Sequence, residues 1–132
     1  MTIFEKIIAG DIPSYKIYED KHVFAFLDGR PHRLWHTLIV PKIAVGDYRD
    51  VPEPYFSACF QAAKTLGTAV QKATWCKRPW LLVHGLGVPE HFHLHVIPIH
   101  KAEDLDQSKA HEESKEEMQK IQTKIQSNLP KK

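Results

Sequence analysis

Apolar and polar positions change period several times along the chain, and each change predicts an element. Thr2 and Glu5 have the spacing of a capping box ahead of Ile7, Ile8 and Ala9, with Gly10 as a stop. That pattern predicts a short N-terminal helix. Ile12-Pro13 opens an extended stretch. Ser14 to Tyr18 and Val23 to Leu27 read as two strands of a hairpin, joined through the polar run Glu19-Asp20-Lys21-His22. Asp28 to Trp35 reads as a loop from its Gly and Pro content, and Thr37 to Val40 as a short β-branched strand closed by Pro41. From Asp50 to Pro54 a long helix begins. Phe56, Cys59, Phe60, Ala63, Gly67 and Val70 recur along it at three- and four-residue steps as one core-facing stripe. A strand from Trp80 to Val83, a glycine turn at Gly85-Leu86-Gly87 and a strand from Phe92 to Ile97 complete the pattern.

After His100 the pattern thins. Residues 102 to 132 are dominated by Glu, Lys, Gln and Ser, with Met118, Ile121 and Ile125 at helical spacing. The expectation is one domain over 1–101, followed by a charged C-terminal helix or tail over 102–132. That helix packs weakly or docks on a partner subunit, or the tail is frayed. No internal repeat is visible.

Composition narrows the class. At 132 residues, 42% hydrophobic and 26% charged, the chain reads as a soluble globular protein. Its formal net charge of +2 is too small to argue for nucleic acid or an anionic membrane as a partner. No apolar run approaches the length of a membrane helix. Met1 to Lys6 reaches charged residues too early for a secretory signal. Cys59 and Cys76 lack CxxC spacing, which favours a reducing, cytoplasmic compartment.

The candidate chemistry lies in His91-Phe92-His93-Leu94-His95-Val96-Ile97. In a strand, successive side chains point to opposite faces, so Phe92, Leu94 and Val96 enter the core and the three histidines line the other face. Burial of the apolar face fixes the register. Three readings follow from the spacing. The histidines fill polar positions in a sheet; or they bind zinc, copper or iron, with His36, His84 and Glu90 available as further ligands. In the third, one imidazole is a nucleophile whose neighbours orient it and manage protons. Spacing alone does not choose between the last two.

The segment His91 to Pro98 resembles the motif of the histidine-triad superfamily, His-x-His-x-His followed by apolar residues. Phe26-Leu27-Asp28-Gly29-Arg30-Pro31 and His36-Thr37-Leu38-Ile39-Val40-Pro41-Lys42 resemble a second motif of its nucleotide-binding branch. Ile3 to Pro13 is similar to the family's start, so the likeness runs from about residue 3 to 99.

The resemblance implies an α+β, HIT-like fold: an antiparallel sheet of about five strands with one long helix, usually as a homodimer. It implies a purine nucleotide substrate, with hydrolysis at the α-phosphorus of nucleoside 5′-phosphoramidates or related conjugates and no cofactor or metal. His93 attacks and carries a nucleotidyl intermediate, His91 holds its tautomer, and His95 contacts the phosphate and leaving-group side. Asp28 accepts the ribose hydroxyls, Leu27 and Leu38 wall the base pocket, and His36 supports the cluster. The alternatives are a dinucleoside polyphosphate hydrolase or nucleotidyltransferase of the same superfamily, and a nucleotide-binding or scaffold protein with little turnover.

The chain departs from the family pattern at four places. Trp35 stands where relatives carry Gly, and Gly29 where they carry Ile, which removes an apolar contact to the base. The run His84 to Glu90 lacks the usual Asn, Gln and Ser, leaving backbone N–H groups around Gly87 and Val88, or His84 as a substitute, to face phosphate. Thr2, Glu5 and Ala44 occupy the places of a structural zinc's ligands in some relatives, so that site is expected to be absent.

Overall fold

The structure, a computed structural model, describes residues 1–28, 36–105 and 113–130. Gly29 and Trp35 lie outside the described residues. Helix α1 covers Ile3–Ala9. Thr2 and Glu5 form the expected reciprocal cap, and Gly10 ends the helix with a φ of 87°, a left-handed turn that glycine takes without a Cβ clash. Strands β1 (Lys16–Glu19) and β2 (Val23–Leu27) make the hairpin, and β3 is Thr37–Pro41. A 3-10 turn at Tyr48–Asp50 precedes helix α2, Tyr55–Thr74. Strands β4 (Arg78–Leu82) and β5 (Leu94–Ile99) and helix α3 (Lys115–Ser127) follow.

The five strands form one antiparallel sheet in the order β1-β2-β3-β5-β4. Helix α2 packs on one face, where Val23, Ala25, Leu27, Ile39, Leu94 and Val96 meet Cys59, Ala62, Leu66 and Val70. The opposite face carries a second cluster, in which Phe4 and Ile7 of α1 cover Phe24, Phe26, Leu38 and Val40. Every residue of β2, β3 and β5 is therefore buried, as expected for central strands covered on both sides.

Two expectations shift. The buried stripe of α2 runs through Cys59, Ala62, Ala63, Leu66, Gly67, Ala69, Val70 and Ala73, while Phe56 and Phe60 pack only at its margin. Small residues let the helix lie close to the sheet, and the large rings are displaced outward. The larger correction is α3. It neither frays nor packs weakly: Met118, Ile121 and Ile125 are buried in the main core of their own chain. Gln122 and Gln126 donate to the carbonyl of Lys16 at 2.7 and 3.1 Å, which ties α3 to β1. Both cysteines are free and buried. Among the described residues no helix is long and apolar enough to cross a membrane.

Candidate active site

The alternation read from the sequence places the histidines on the α1 side of the sheet, because Phe92, Leu94 and Val96 are committed to the α2 side. The regular ladder starts only at Leu94, so the strand begins two residues later than its pattern suggests. Ahead of it the backbone is held by loops. Phe92 N–H donates to Val45 O at 2.7 Å and His91 N–H to Val88 O at 3.4 Å. Gly46 permits this close approach, since a Cβ there would collide with the carbonyl of Pro89. His91, His93 and His95 are all buried.

Each ring has a distinct environment. His93 Nδ1 lies 2.9 Å from the carbonyl of His91. A carbonyl only accepts, so the ring proton belongs on Nδ1 and the lone pair on Nε2. His91 thus holds the His93 tautomer through its backbone. Its own ring turns elsewhere, with Nε2–H donating to Pro41 O at 2.8 Å and Nδ1 accepting from the Thr2 hydroxyl at 2.8 Å. Burial, the leading cause, holds the His91 imidazole below its ordinary pKa despite the opposing pull of Pro41 O, Glu5 and Glu90. Since both ring nitrogens are engaged by the protein, a metal site built on the rings of His91, His93 and His95 is not supported.

His95 pairs with His36, Nδ1 to Nε2, at 2.7 Å. The pairing of Leu38 with His95 across β3 and β5 puts His36, two residues before Leu38, beside that ring. The other nitrogen of His36 lies 3.5 Å from the half-buried Asp28 carboxylate. Asp28 N–H also donates to His36 O at 2.9 Å, which closes the end of the β2–β3 pair. Asp28, His36 and His95 therefore form one line leading to the triad.

The remaining candidates divide. Leu38 lies on the histidine face. Leu27 does not: its side chain is buried under α2 on the other face, because strand alternation sends Phe26 and Leu27 opposite ways. On the histidine face the neighbouring apolar surface is formed instead by Phe26 and Phe4. The Phe4 ring packs edge-on against His93 at 5.1 Å and against His91 at 5.4 Å, and meets Phe26 at 5.8 Å. Phe4 lies outside the residues that the motifs mark; its place with Ile7 and Ile8 on one face of the capped helix is the signal for it in the sequence. Gly87 has a φ of 84°, and Val88 packs at the rim of the histidine-side cluster. Glu90 is exposed.

His84, which leads the glycine turn, joins the cluster. Its ring stacks on His95 at 4.5 Å and stands edge-on to His93 at 5.9 Å. Burial and the neighbouring His93 lower its pKa, against the pull of Asp28. Two sets, His84-His93-His95 and Asp28-His36-His95, bring potential metal-ligand atoms within 4.8 Å of one another. In the first set, however, Leu86 N–H donates to His84 Nδ1 at 2.9 Å. That leaves the His84 proton on Nε2, where coordination would need a lone pair.

A buried imidazole with a fixed lone pair, flanked by further imidazoles and a carboxylate on a rigid sheet, is the equipment of a nucleophilic site. Residues 9–102 match the HIT domain family, and the chain belongs to it. It is 35% identical over 98 residues to the adenosine 5′-monophosphoramidase HNT1 of Saccharomyces cerevisiae, covering 73% of this chain and 61% of that protein. The chain thus spans less than two thirds of that relative. The Candida albicans protein of the same name is 33% identical over 141 residues, covering 90% of this chain and 92% of its own. Among solved structures, a Hit-like protein involved in cell-cycle regulation from Bartonella henselae superposes with a TM-score of 0.84 at 26% identity. It covers 97% of this chain and 96% of that one.

Proposed function

We propose that the chain is a nucleotide hydrolase in which His93 Nε2 attacks the α-phosphorus of a nucleoside 5′-phosphoramidate or related purine nucleotide conjugate. The observation that carries this reading is the 2.9 Å contact of His93 Nδ1 with the His91 carbonyl, which leaves the lone pair on Nε2. The Nε2–phosphorus bond forms as the bond to the leaving amine breaks, and the amine takes a proton from the His95 side of the cluster. Water then attacks the same phosphorus and gives its proton back to the His95 side, while the Nε2–phosphorus bond breaks to release the nucleoside monophosphate and return His93. Asp28 accepts from the ribose hydroxyls, and Phe4 and Phe26 face the base. Fixed donors around the phosphorus contribute several kcal/mol without reorganising during the reaction. The activity named for the two HNT1 relatives supports this substrate class. No cofactor enters the scheme.

The test is a single-turnover incubation with adenosine 5′-phosphoramidate, following AMP and acid-labile nucleotide on the protein, beside His93→Ala. The expected result is AMP release through an adduct, with both lost by about a thousandfold or more in the variant. Full activity in His93→Ala would end the covalent mechanism. A wild type that binds AMP but forms no adduct would point to a binding protein. Faster turnover of a dinucleoside polyphosphate would reassign the leaving group.

A second copy of the chain is the expected partner. Strand β4 is a sheet edge, with Trp80, Leu81 and Val83 exposed on and after it. Beside it lies a groove of about 530 Å³ lined by Phe60, Ala63, Gly67, Pro79 and Leu81. An open apolar edge of this kind supports pairing with another strand.

A further inference from the structure

The turn between β4 and β5 brings the His84 ring against His93 and His95, and its residues Val88, Pro89 and Glu90 carry no neutral hydrogen-bond donor in their side chains. His84 is the polar group that this turn aims at the cluster. Its tautomer is set locally: Leu86 N–H donates to Nδ1 at 2.9 Å, so the proton sits on Nε2. Its position is set by ring packing, 4.5 Å from His95 with the planes 31° apart and 5.9 Å from His93 at 89°. One nitrogen from each of His84, His93 and His95 lies within 4.8 Å of the other two. The same turn carries Gly85 and Gly87 at φ of 70° and 84°, which bends the chain sharply enough to fold Leu86 N–H back onto the ring.

The three rings therefore differ in what they present. His93 offers a lone pair, whereas His84 offers an N–H. A tetrahedral phosphorus attacked by His93 keeps two anionic non-bridging oxygens, and these need donors where their charge is concentrated. We propose that His84 is a catalytic residue that binds phosphate, its Nε2–H donating to a non-bridging oxygen of the nucleotide's α-phosphate. No proton moves in this role; the ring stays neutral and serves as a fixed dipole. The assignment rests on the hydrolase reading for its place in the reaction, but the contact itself requires only a nucleotide in the site.

The experiment compares AMP with adenosine, which lacks the phosphate, by calorimetric titration of wild type, His84→Phe and His84→Asn. Phe keeps a stacked ring without a donor, and Asn keeps a donor without the ring. A hydrogen bond to a charged group predicts that Phe loses about 10- to 100-fold in AMP affinity. Adenosine affinity stays within about twofold, and Asn recovers most of the AMP loss. An AMP-to-adenosine ratio unchanged in His84→Phe would overturn the proposal. Equal losses in Asn and Phe would also overturn it, because the ring would then act by packing. If wild type forms no adduct while the ratio still depends on His84, the hydrolase reading fails and the phosphate contact stands. If wild type does not bind AMP, both fail.

Discussion

The Thr2 hydroxyl joins two parts of the molecule that lie far apart in sequence, and removing it gives the sharpest test of how the histidines are held. Its oxygen accepts Glu5 N–H at 3.1 Å as the N-cap of α1 and donates to His91 Nδ1 at 2.8 Å. Thr2→Val keeps the shape and deletes the hydroxyl. Loss of a cap costs about 1 kcal/mol, within a range of about 0.5–2. The fully buried His91 ring then has an acceptor facing a methyl group, which costs about 1–3 kcal/mol more, because Pro41 O still requires the proton on Nε2. The expected total is about 2–4 kcal/mol in urea unfolding followed by circular dichroism, while Thr2→Ser stays within about 0.5. In a His91→Phe background the second component has no acceptor to act on, so Thr2→Val should cost only the cap. A Thr2→Val penalty below about 0.5 kcal/mol, or the same penalty in both backgrounds, would refute the linkage.

Three other outcomes are expected. Ile125 is fully buried in the main core, so Ile125→Ala should cost about 2–5 kcal/mol; an unfolding midpoint that does not move would mean α3 is not seated. Burial lowers the His91 pKa from its ordinary 6.5, so the unfolded chain takes up that proton first. Its stabilising effect is complete above about pH 6.5 and is lost as pH falls through that value towards the folded pKa, at up to about 1.4 kcal/mol per pH unit. His91→Phe should flatten this part of the stability curve, and an unchanged slope would assign it elsewhere. Leu81→Lys, on the exposed edge strand, should convert a dimer to a monomer in sedimentation equilibrium; a monomeric wild type would remove the dimer from the scheme.

Local order was legible in the residues because it is periodic. The capping box at Thr2 and Glu5, the strands β2 and β3 and the split of Phe92, Leu94 and Val96 from the histidines each follow from spacing within a few residues. Periodicity states which face of an element is apolar, but not what covers it. The sparse stripe Met118-Ile121-Ile125 has the same spacing whether it meets a partner, solvent or its own core, and only the packed chain decided for the core. The α2 stripe was displaced for the same reason, since closeness to the sheet favoured Ala62, Leu66 and Ala69 over Phe56 and Phe60.

The triad follows the same division. Its presence, and the common face of its side chains, belong to the sequence. The environment of two rings was decided by partners reached through space, Thr2 and Pro41 for His91 and His36 for His95, while Leu86 in the glycine turn sets His84 locally. An imidazole has two nitrogens and one mobile proton, so its neighbours determine whether it presents a lone pair or an N–H. Tertiary contacts determine those neighbours for His91 and His95, whereas backbone groups two residues away leave a lone pair on His93 Nε2 and an N–H on His84 Nε2.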